Sequence, residues 1–453
     1  MTTEAINVRG RPTVDIGQLV DEGAWNGSRK LVLVLAALAI VLDGLDNQVL
    51  GFAIPSMIAE WKVARSDFAS ALALGFVGMT IGTPVGGVLG DRFGRKITLI
   101  MAVVLFGLAT AAIAAANGVF EVAIYRFLAG LGLGGALPAA MALIAEFTPK
   151  QNRSLSVLLG IVCIPIGGMI GGVIAAEILP TYGWRILFLV SGLAPMVVAL
   201  ILIAALPESP QHLLNSGANS EKIARSVRWL GASVTADSEF VDRREIGVAR
   251  ASLGALFTKE FVRSTLAMWV AFFFCLLPVY VLYAWTPTLL VGKGIDVKTA
   301  SFGLALFNFG GVAGCLVAAW AIGWFGSRVG ILTMAGGAVL GAVLLALLPL
   351  SPSNDVLIKV LLCVEGFFLL GAQGSLYALA TYVYPTAIRS TGMGAAAGFG
   401  RAGAIVSAYV GSAALAVGSG AFFGVVVVCL AITFVAVAVV NIHADALRST
   451  AIR

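Results

Sequence analysis

Two aspartates lie three residues apart in the segment Asp43-Gly44-Leu45-Asp46, inside the first long apolar stretch of the chain. Side chains at this spacing share one face of a helix, with their Cβ atoms about 5–6 Å apart. Two carboxylates that close in a partly dry cavity repel each other, which favours proton binding by at least one of them. We therefore predict that Asp43 and Asp46 form a proton-coupling pair. The alternative is a pair that arginines or helix ends keep ionised.

Two arginines, Arg126 and Arg401, also lie inside apolar stretches. A charged side chain at the centre of a lipid-facing helix costs on the order of 2.5–3.5 kcal/mol, so such charges mark functional sites. A guanidinium can hold a carboxylate through two parallel hydrogen bonds. We predict that Arg401 or Arg126 binds a substrate carboxylate; the alternative for each is a fixed ion pair with an aspartate. Glu365 is a further carboxylate inside an apolar stretch, for which a structural contact is the favoured interpretation.

The segments that position these charges are strongly apolar. Of the 453 residues, 59% are hydrophobic and only 11% are charged, whereas a soluble domain carries about 25% charged residues. Too few polar side chains remain to cover a water-soluble surface, so we predict an integral membrane protein.

The five cysteines form no CxxC motif, which predicts neither a disulfide framework nor a metal site, and we expect no cofactor. The first 30 residues lack the apolar core of a signal peptide.

Twelve apolar runs are long enough to cross a membrane as helices, because a span needs about 20 residues. The sequence therefore predicts an all-α integral membrane fold with two pseudo-symmetric six-helix halves, residues 31–206 and 262–441. A polar cytoplasmic central loop, 207–261, joins them, and cytoplasmic tails, 1–30 and 442–453, flank them. The predicted spans are 31–57, 67–90, 97–116, 120–146, 154–179, 184–206, 262–292, 299–324, 328–350, 355–383, 389–416 and 420–441.

Lysine and arginine are distributed unevenly between the two sides of this predicted bundle. The side with both tails and the central loop carries 21 of these residues, and the other side carries 6. Because cytoplasmic loops are enriched in Lys and Arg, both termini are predicted to be cytoplasmic. The same distribution accounts for the net charge of +6 without a nucleic-acid partner.

The two predicted halves carry matching motifs, which indicates an internal repeat. Residues 149–154 read Pro-Lys-Gln-Asn-Arg-Ser and residues 385–390 read Pro-Thr-Ala-Ile-Arg-Ser, an offset of 236. A weaker match links residues 90–96 with residues 323–328. Repeats of six helices place a substrate site near the bilayer midplane between the halves, with alternating access to the two sides.

Several motifs resemble those of a known superfamily. The loop 86–96, Gly-Gly-Val-Leu-Gly-Asp-Arg-Phe-Gly-Arg-Lys, is similar to the helix 2–3 signature of the major facilitator superfamily, as are residues 126–135 and 146–153. Within that superfamily, Asp43-Gly44-Leu45-Asp46 and the following residues 51–55 resemble the signature of the aromatic acid:proton symporters. Residues 285–290, 371–373, 384–389 and 400–405 are similar to the same family. The loop after the eighth span departs from the pattern, with Trp324 and Ser327 in place of an acidic–basic pair.

The resemblance implies a major facilitator fold and a proton-coupled symporter that imports a small aromatic carboxylate of the benzoate or hydroxybenzoate class. We expect a monomer whose partners are that substrate, protons and membrane lipid. Gating at the cytoplasmic face is implied for Asp91, Arg92, Arg95, Glu146, Arg153 and Arg389. A ring substrate needs flat apolar walls and a few polar groups. Candidates at suitable depth are Trp285, Asn308, Gln373, Tyr377 and Phe399.

Other functions remain open at this point. A porter for another organic acid or metabolite, or a proton-driven efflux antiporter, would share the fold. The paired aspartates with Arg401 favour anion–proton symport, because efflux of a cationic drug needs no buried arginine. A membrane enzyme is disfavoured, since the only histidines are His212 and His443 and the chain contains no HExxH, GxSxG or nucleotide-binding motif.

Overall fold

The computed structural model describes residues 5–6, 12–232, 234, 238–242, 253–385 and 388–443. Long helices make up most of this part of the chain, which confirms the all-α prediction for the membrane region. The first half contains α2 (Gly27–Trp61), α3 (Asp67–Phe93), α4 (Arg95–Ile113), α5 (Val119–Phe147) and α6 (Lys150–Ala205). The second half contains α9 (Val262–Gly292), α10 (Val297–Phe325), α11 (Ser327–Leu347), α12 (Asp355–Val383), α13 (Arg389–Val417) and α14 (Ser419–Val439).

Each predicted span corresponds to one of these helices, although the predicted spans 97–116, 184–206, 328–350 and 420–441 end one to three residues beyond the observed helices. The 56-residue α6 covers two of them, 154–179 and 184–206, and is broken between them at Gly183, where φ is 76° and ψ is 177°. Nine helices in the described ranges, α6 included, are long and apolar enough to cross a membrane. The count of twelve crossings stays a prediction.

Glycines at corresponding points of the two halves confirm the internal repeat. A single residue connects α3 to α4 and α10 to α11, and in each case it is a glycine with positive φ: Gly94 at 100° and Gly326 at 83°. Gly418, between α13 and α14, has a φ of 139° and corresponds to the break at Gly183. Glycine adopts this backbone region without the steric cost of a Cβ atom, which is why both halves require it there.

The remaining elements lie at the end of the bundle where α2 and α6 begin. They are α1 (Ile16–Glu22), α7 (Pro210–Asn215), α8 (Ser220–Trp229), a 3-10 helix (Leu253–Phe257) and the strands β1 (Ala5–Ile6), β2 (Pro12–Asp15) and β3 (Glu239–Val241). A second 3-10 helix (Pro352–Asn354) precedes α12 at the other end. We call the first end the terminal face; it includes the described residues among 12–29, 207–232, 238–242 and 441–443, the α3–α4 connection and the end of α5. The far end, with the connections 62–66, 293–296 and 348–354, is the opposite face.

A small sheet joins the N-terminal segment to the central segment, which the sequence did not predict. β2 pairs with β1 antiparallel and with β3 parallel, in the register Thr13 to Glu239 and Asp15 to Val241. Arg29 is 1% exposed and secures the same junction. Its guanidinium donates to the carbonyl oxygens of Leu19, Val20 and Leu230 at 2.7–3.2 Å.

Parts of the predicted tails and central loop lie outside the described residues. These are 1–4 and 7–11, 243–252 and 444–453, so the predicted cytoplasmic residues Arg9, Arg11, Arg243, Arg244, Arg250, Arg448 and Arg453 receive no structural account. The boundaries 1–30, 207–261 and 442–453 stay predictions.

The two halves meet along three helix pairs: α2 with α9, α3 with α13, and α6 with α10. Within each half the tightest packing is of α3 on α5 and α2 on α6, and of α10 on α12 and α9 on α13. α2, which carries Asp43 and Asp46, therefore contacts both its own half and the second half.

Candidate functional site

Asp46 is enclosed within the first half. Its side chain is fully buried, and its Oδ2 atom lies 3.1 Å from Nη1 of Arg126, which is itself only 4% exposed. The same Nη1 donates to the backbone carbonyl of Asp46 at 3.2 Å, and the hydroxyl of Thr110 donates to Oδ1. Buried ion pairs are tolerated when further hydrogen bonds satisfy both charges. α4 and α5 provide hydrogen bonds to both carboxylate oxygens of Asp46, so it has the geometry of a fixed ion pair, although Nε of Arg126 is buried and donates to no described residue.

Asp43 has a different environment one turn earlier in the same helix. It is 3% exposed, and its Oδ1 atom accepts no hydrogen bond from the part of the chain that the structure describes. Its main electrostatic partner is Arg401 of α13, which belongs to the second half. Asp43 therefore lies between the halves, with a cationic group across the gap rather than in a closed ion pair.

Arg401 is half-buried and faces a polar, aromatic cluster. No ion pair within 4 Å joins it to a carboxylate among the described residues. Its guanidinium acts electrostatically on Asp43, on Tyr280 of α9 and on Tyr377 of α12. A cation with several unfilled donor positions at the junction of the halves can receive an anionic ligand.

Aromatic rings line this cluster. The Tyr280 ring packs edge-on against Phe76 at 4.7 Å, and the Tyr377 ring packs edge-on against Phe272 at 5.0 Å. Asn47, one turn after Asp43, lies beside Tyr280. Sequence reasoning missed Asn47 and Tyr280. The i, i+4 spacing from Asp43 was a signal for Asn47, whereas Tyr280 is one of many aromatics in α9.

The other predicted substrate-binding residues divide into two groups. Gln373 is half-buried and lies one turn before Tyr377 on the same face of α12, next to the cluster. Asn308 is fully buried, and its amide is already bonded to Gln48 of α2. Trp285 is fully buried and packs against Gly411 inside the second half.

Phe399 is not brought to the cluster. It stacks on Trp269, with ring centroids 5.2 Å apart and an interplanar angle of 22°. It lies two positions before Arg401, which places it about 200° around the helix from that side chain. Glu365 also lies elsewhere, fully buried beside Gly341 of α11, and neither carboxylate oxygen is hydrogen-bonded to another described residue.

Three of the predicted gating residues form one network at the terminal face. Arg95 lies 2.9 Å from Asp91 and 3.2 Å from Glu146, and it donates to the carbonyl of Gly90 at 2.5 Å. Arg95 thereby ties the α3–α4 connection to the end of α5. Glu208 extends the network by accepting hydrogen bonds from the backbone N–H groups of Lys96 and Ser209.

The other three predicted gating residues have separate partners. Arg153 pairs with Asp21 of α1 at 2.5 Å and donates to the carbonyl of Thr148. Arg389 donates to the Tyr384 carbonyl at 3.4 Å, at the end of α12. Arg92 lies 5.3 Å from the centre of the Phe93 ring.

No metal-binding group of three or more His, Cys, Asp or Glu residues occurs in the described ranges. The cluster around Arg401 and Asp43 instead combines a cation, a carboxylate and aromatic walls. It is suited to binding an aromatic anion and exchanging a proton.

Comparison with known proteins agrees with this interpretation of the site. The profile of the Major Facilitator Superfamily matches residues 36–408. The 4-hydroxybenzoate transporter PcaK of Acinetobacter baylyi is 34% identical over 410 residues, covering 89% of each chain. The gallate transporter of Pseudomonas putida is 34% identical over 408 residues, covering 90% of each. Among solved structures, the xylose transporter XylE from E. coli matches with a TM-score of 0.70 at 18% identity, over 91% of this chain and 98% of that one.

Proposed function

Because this chain belongs to the Major Facilitator Superfamily, and within it to the aromatic acid transporters, we propose that it imports a small aromatic carboxylate together with protons. The predicted fold class is confirmed, and the chain is a multi-pass membrane transporter rather than an enzyme. The observation that carries the proposal is Arg401, a cation between the halves that faces Asp43 without a closed ion pair.

The substrate carboxylate binds to Arg401 in this proposal. The planar guanidinium can donate two parallel hydrogen bonds to it. Tyr280, Tyr377 and Phe76 provide the aromatic walls for the ring, since aromatic pairs favour the edge-to-face and offset arrangements seen here. Arg126 is the weaker candidate for this role in the proposal, because its Nη1 atom already binds Asp46.

Proton coupling follows from competition for Arg401. Ionised Asp43 neutralises the guanidinium and repels a second carboxylate. Protonation of Asp43 removes that charge, so the substrate carboxylate can take its place. Loss of the proton on the other side of the membrane restores the competition and expels the substrate. Asp46 stays ionised with Arg126 throughout, and holds α2, α4 and α5 together.

The terminal face is the cytoplasmic side in this proposal, in the inner membrane of a bacterium. Its support is the excess of Lys and Arg on that side, 21 residues against 6. The network of Asp91, Arg95 and Glu146 lies there, far from Arg401, and would control opening of the pathway to the cytoplasm.

Uptake by the purified protein in proteoliposomes tests the proposal. Radiolabelled 4-hydroxybenzoate, gallate and benzoate would be compared with aliphatic acids of similar size, under an imposed inward proton gradient. We expect accumulation of at least one ring acid, and loss of accumulation when an uncoupler collapses the gradient. Accumulation of aliphatic acids only would instead identify a different organic acid porter. Gradient-driven expulsion of a ring acid would identify an antiporter.

A further inference from the structure

We infer that a reciprocal amide pair, Gln48 of α2 and Asn308 of α10, is the inner closure of the transport pathway toward the opposite face. The pair must separate once in every transport cycle. This inference concerns how the two halves move and does not depend on which substrate is carried.

The two side chains bond each other in both directions. Gln48 Nε2 donates to Asn308 Oδ1 at 3.0 Å, and Asn308 Nδ2 donates to Gln48 Oε1 at 2.8 Å. Asn308 Nδ2 also donates to the Leu304 carbonyl at 2.9 Å. Gln48 is 1% exposed and Asn308 is fully buried. Two buried amides that satisfy each other form a strong contact only while both halves hold this relative position.

A third helix covers the pair. Gly168 of α6 approaches so closely that an added Cβ atom would overlap the Gln48 amide and lie 2.6 Å from Asn308 Oδ1. Glycine is therefore required at position 168 for the pair to form. Three helices from two halves converge at this one point.

The pair is the innermost of several contacts between the halves on this side. Gln48 follows Asp46 by two residues. Farther along α2, Gly51 lies against the backbone of Tyr283 and Ala284 in α9. A Cβ atom on Gly172 would lie 2.8 Å from the Cβ of Ala305 and 3.0 Å from the Ser301 carbonyl in α10.

The outermost contact is an ion pair across the rim. Lys298 at the start of α10 lies 2.8 Å from Glu177 of α6, and both side chains are more than half exposed. At the terminal face, by contrast, the ion pairs of Arg95 and Arg153 stay within the first half and its N-terminal segment. The structure therefore represents a state that is closed on the opposite face.

Opening toward the opposite face must break the pair. Substrate can reach Arg401 from that side only when α2 and α6 move away from α10. Separation exposes two amides, which then need water as a partner. Loss of one amide leaves the other buried and unsatisfied, which weakens the closed state, whereas apolar replacement of both can be nearly neutral.

Alkylation of a reporter cysteine measures this closure. Ser301 is fully buried, two turns from Asn308 toward the opposite face, and Ser301→Cys is a nearly isosteric change. The reporter would be placed in the full-length chain, with the five native cysteines replaced by alanine. The alkylation rate of this cysteine is measured in proteoliposomes with a membrane-impermeant maleimide. It is divided by the alkylation rate of the same variant in denaturant.

Gln48→Leu and Asn308→Leu should each raise the alkylation rate about tenfold, because each leaves one buried amide unsatisfied. The double variant should return most of the way to the parent rate. Gly168→Ala should raise the rate without changing either amide. Gly171→Ala is the matched control, because the atoms nearest to a Cβ atom added at Gly171 belong to Leu45 of the same half, the first of them at 3.2 Å.

Additive effects of the two leucine substitutions would overturn the inference, as would unchanged rates in both single variants. Equal effects of Gly168→Ala and Gly171→Ala would also count against it. Monodisperse elution in detergent shows that each variant is folded. If Gly168→Ala does not fold, Gln48→Leu and Asn308→Leu still decide the test.

Discussion

The two carboxylates of α2 are three residues apart and have opposite surroundings. Asp46 faces the interior of the first half, where Arg126 and Thr110 satisfy both oxygens. Asp43 faces the second half, where Arg401 acts on it across a gap and Oδ1 has no hydrogen-bond partner among the described residues. In the proposed mechanism, position relative to the interface between the halves, rather than residue type or depth, decides which aspartate exchanges a proton.

The two arginines, Arg126 and Arg401, differ in the same way as the two aspartates. Arg126 and its partner Asp46 belong to the same half. Arg401 lies across the interface from Asp43. In the proposed mechanism the first arginine keeps its partner when the halves move, whereas the second can exchange Asp43 for the substrate carboxylate.

Asp43→Asn should have the largest effect, because it removes the competition for Arg401. We expect complete loss of gradient-driven accumulation, while exchange of substrate across the membrane at equal pH continues. Proteoliposome uptake with and without a proton gradient measures both activities. Asp46→Asn is the matched change: if it abolishes coupling and Asp43→Asn does not, the assignment of the two aspartates is reversed.

Arg126→Ala should reduce stability strongly, because it leaves the Asp46 charge buried without a partner. Removal of one member of a buried ion pair costs about 3–5 kcal/mol. We expect a large loss of monodisperse protein and a lower unfolding temperature in detergent. Arg126→Ala combined with Asp46→Asn should recover part of the loss. Wild-type stability of Arg126→Ala alone would contradict the fixed ion pair.

Arg401→Lys should weaken substrate binding but leave the protein folded. Lysine keeps the charge and loses the bidentate geometry. A lost charge-assisted hydrogen bond is worth about 1.5–3 kcal/mol, or roughly ten- to a hundredfold in affinity. Binding of a ring carboxylate and of its neutral amide would be compared by calorimetry. Equal weakening of the two ligands would make Arg401 a structural partner of Asp43.

Asp91→Asn should have the smallest effect on the site, because Asp91 lies at the terminal face and forms its ion pair there with Arg95. We expect unchanged affinity for the ring acid and a transport rate lowered a few-fold. Its side chain is 73% exposed, so the ion pair adds little stability. Loss of affinity in a folded variant would show that Asp91 acts on the site itself.

The sequence predicted the helices, the repeat and the intramembrane charges, because each leaves a local pattern. It could not distinguish Asp43 from Asp46, since a helix places both on one face. Their distinguishing partners, Thr110, Arg126 and Arg401, come from distant helices. Gln48 and Asn308 illustrate the same limit: their pairing across 260 residues leaves no local signal.

Two differences between the predictions from the sequence and the structure have simpler physical reasons. Phe399 was predicted from depth alone, and helical periodicity places it away from Arg401. The β1–β2–β3 sheet was missed because strands of two to four residues are too short to show an alternating pattern. Most of the fold follows from composition and periodicity, whereas the site depends on which faces the tertiary structure brings together.

The junction at Arg29 bears on the order in which the chain is made. Arg29 donates to the carbonyl of Leu230, 201 residues later, and β2 pairs with β3 at residues 239–241. These partners leave the ribosome only after α2 to α6 have been synthesised. The N-terminal segment can therefore dock only after the five helices of the first half have been made.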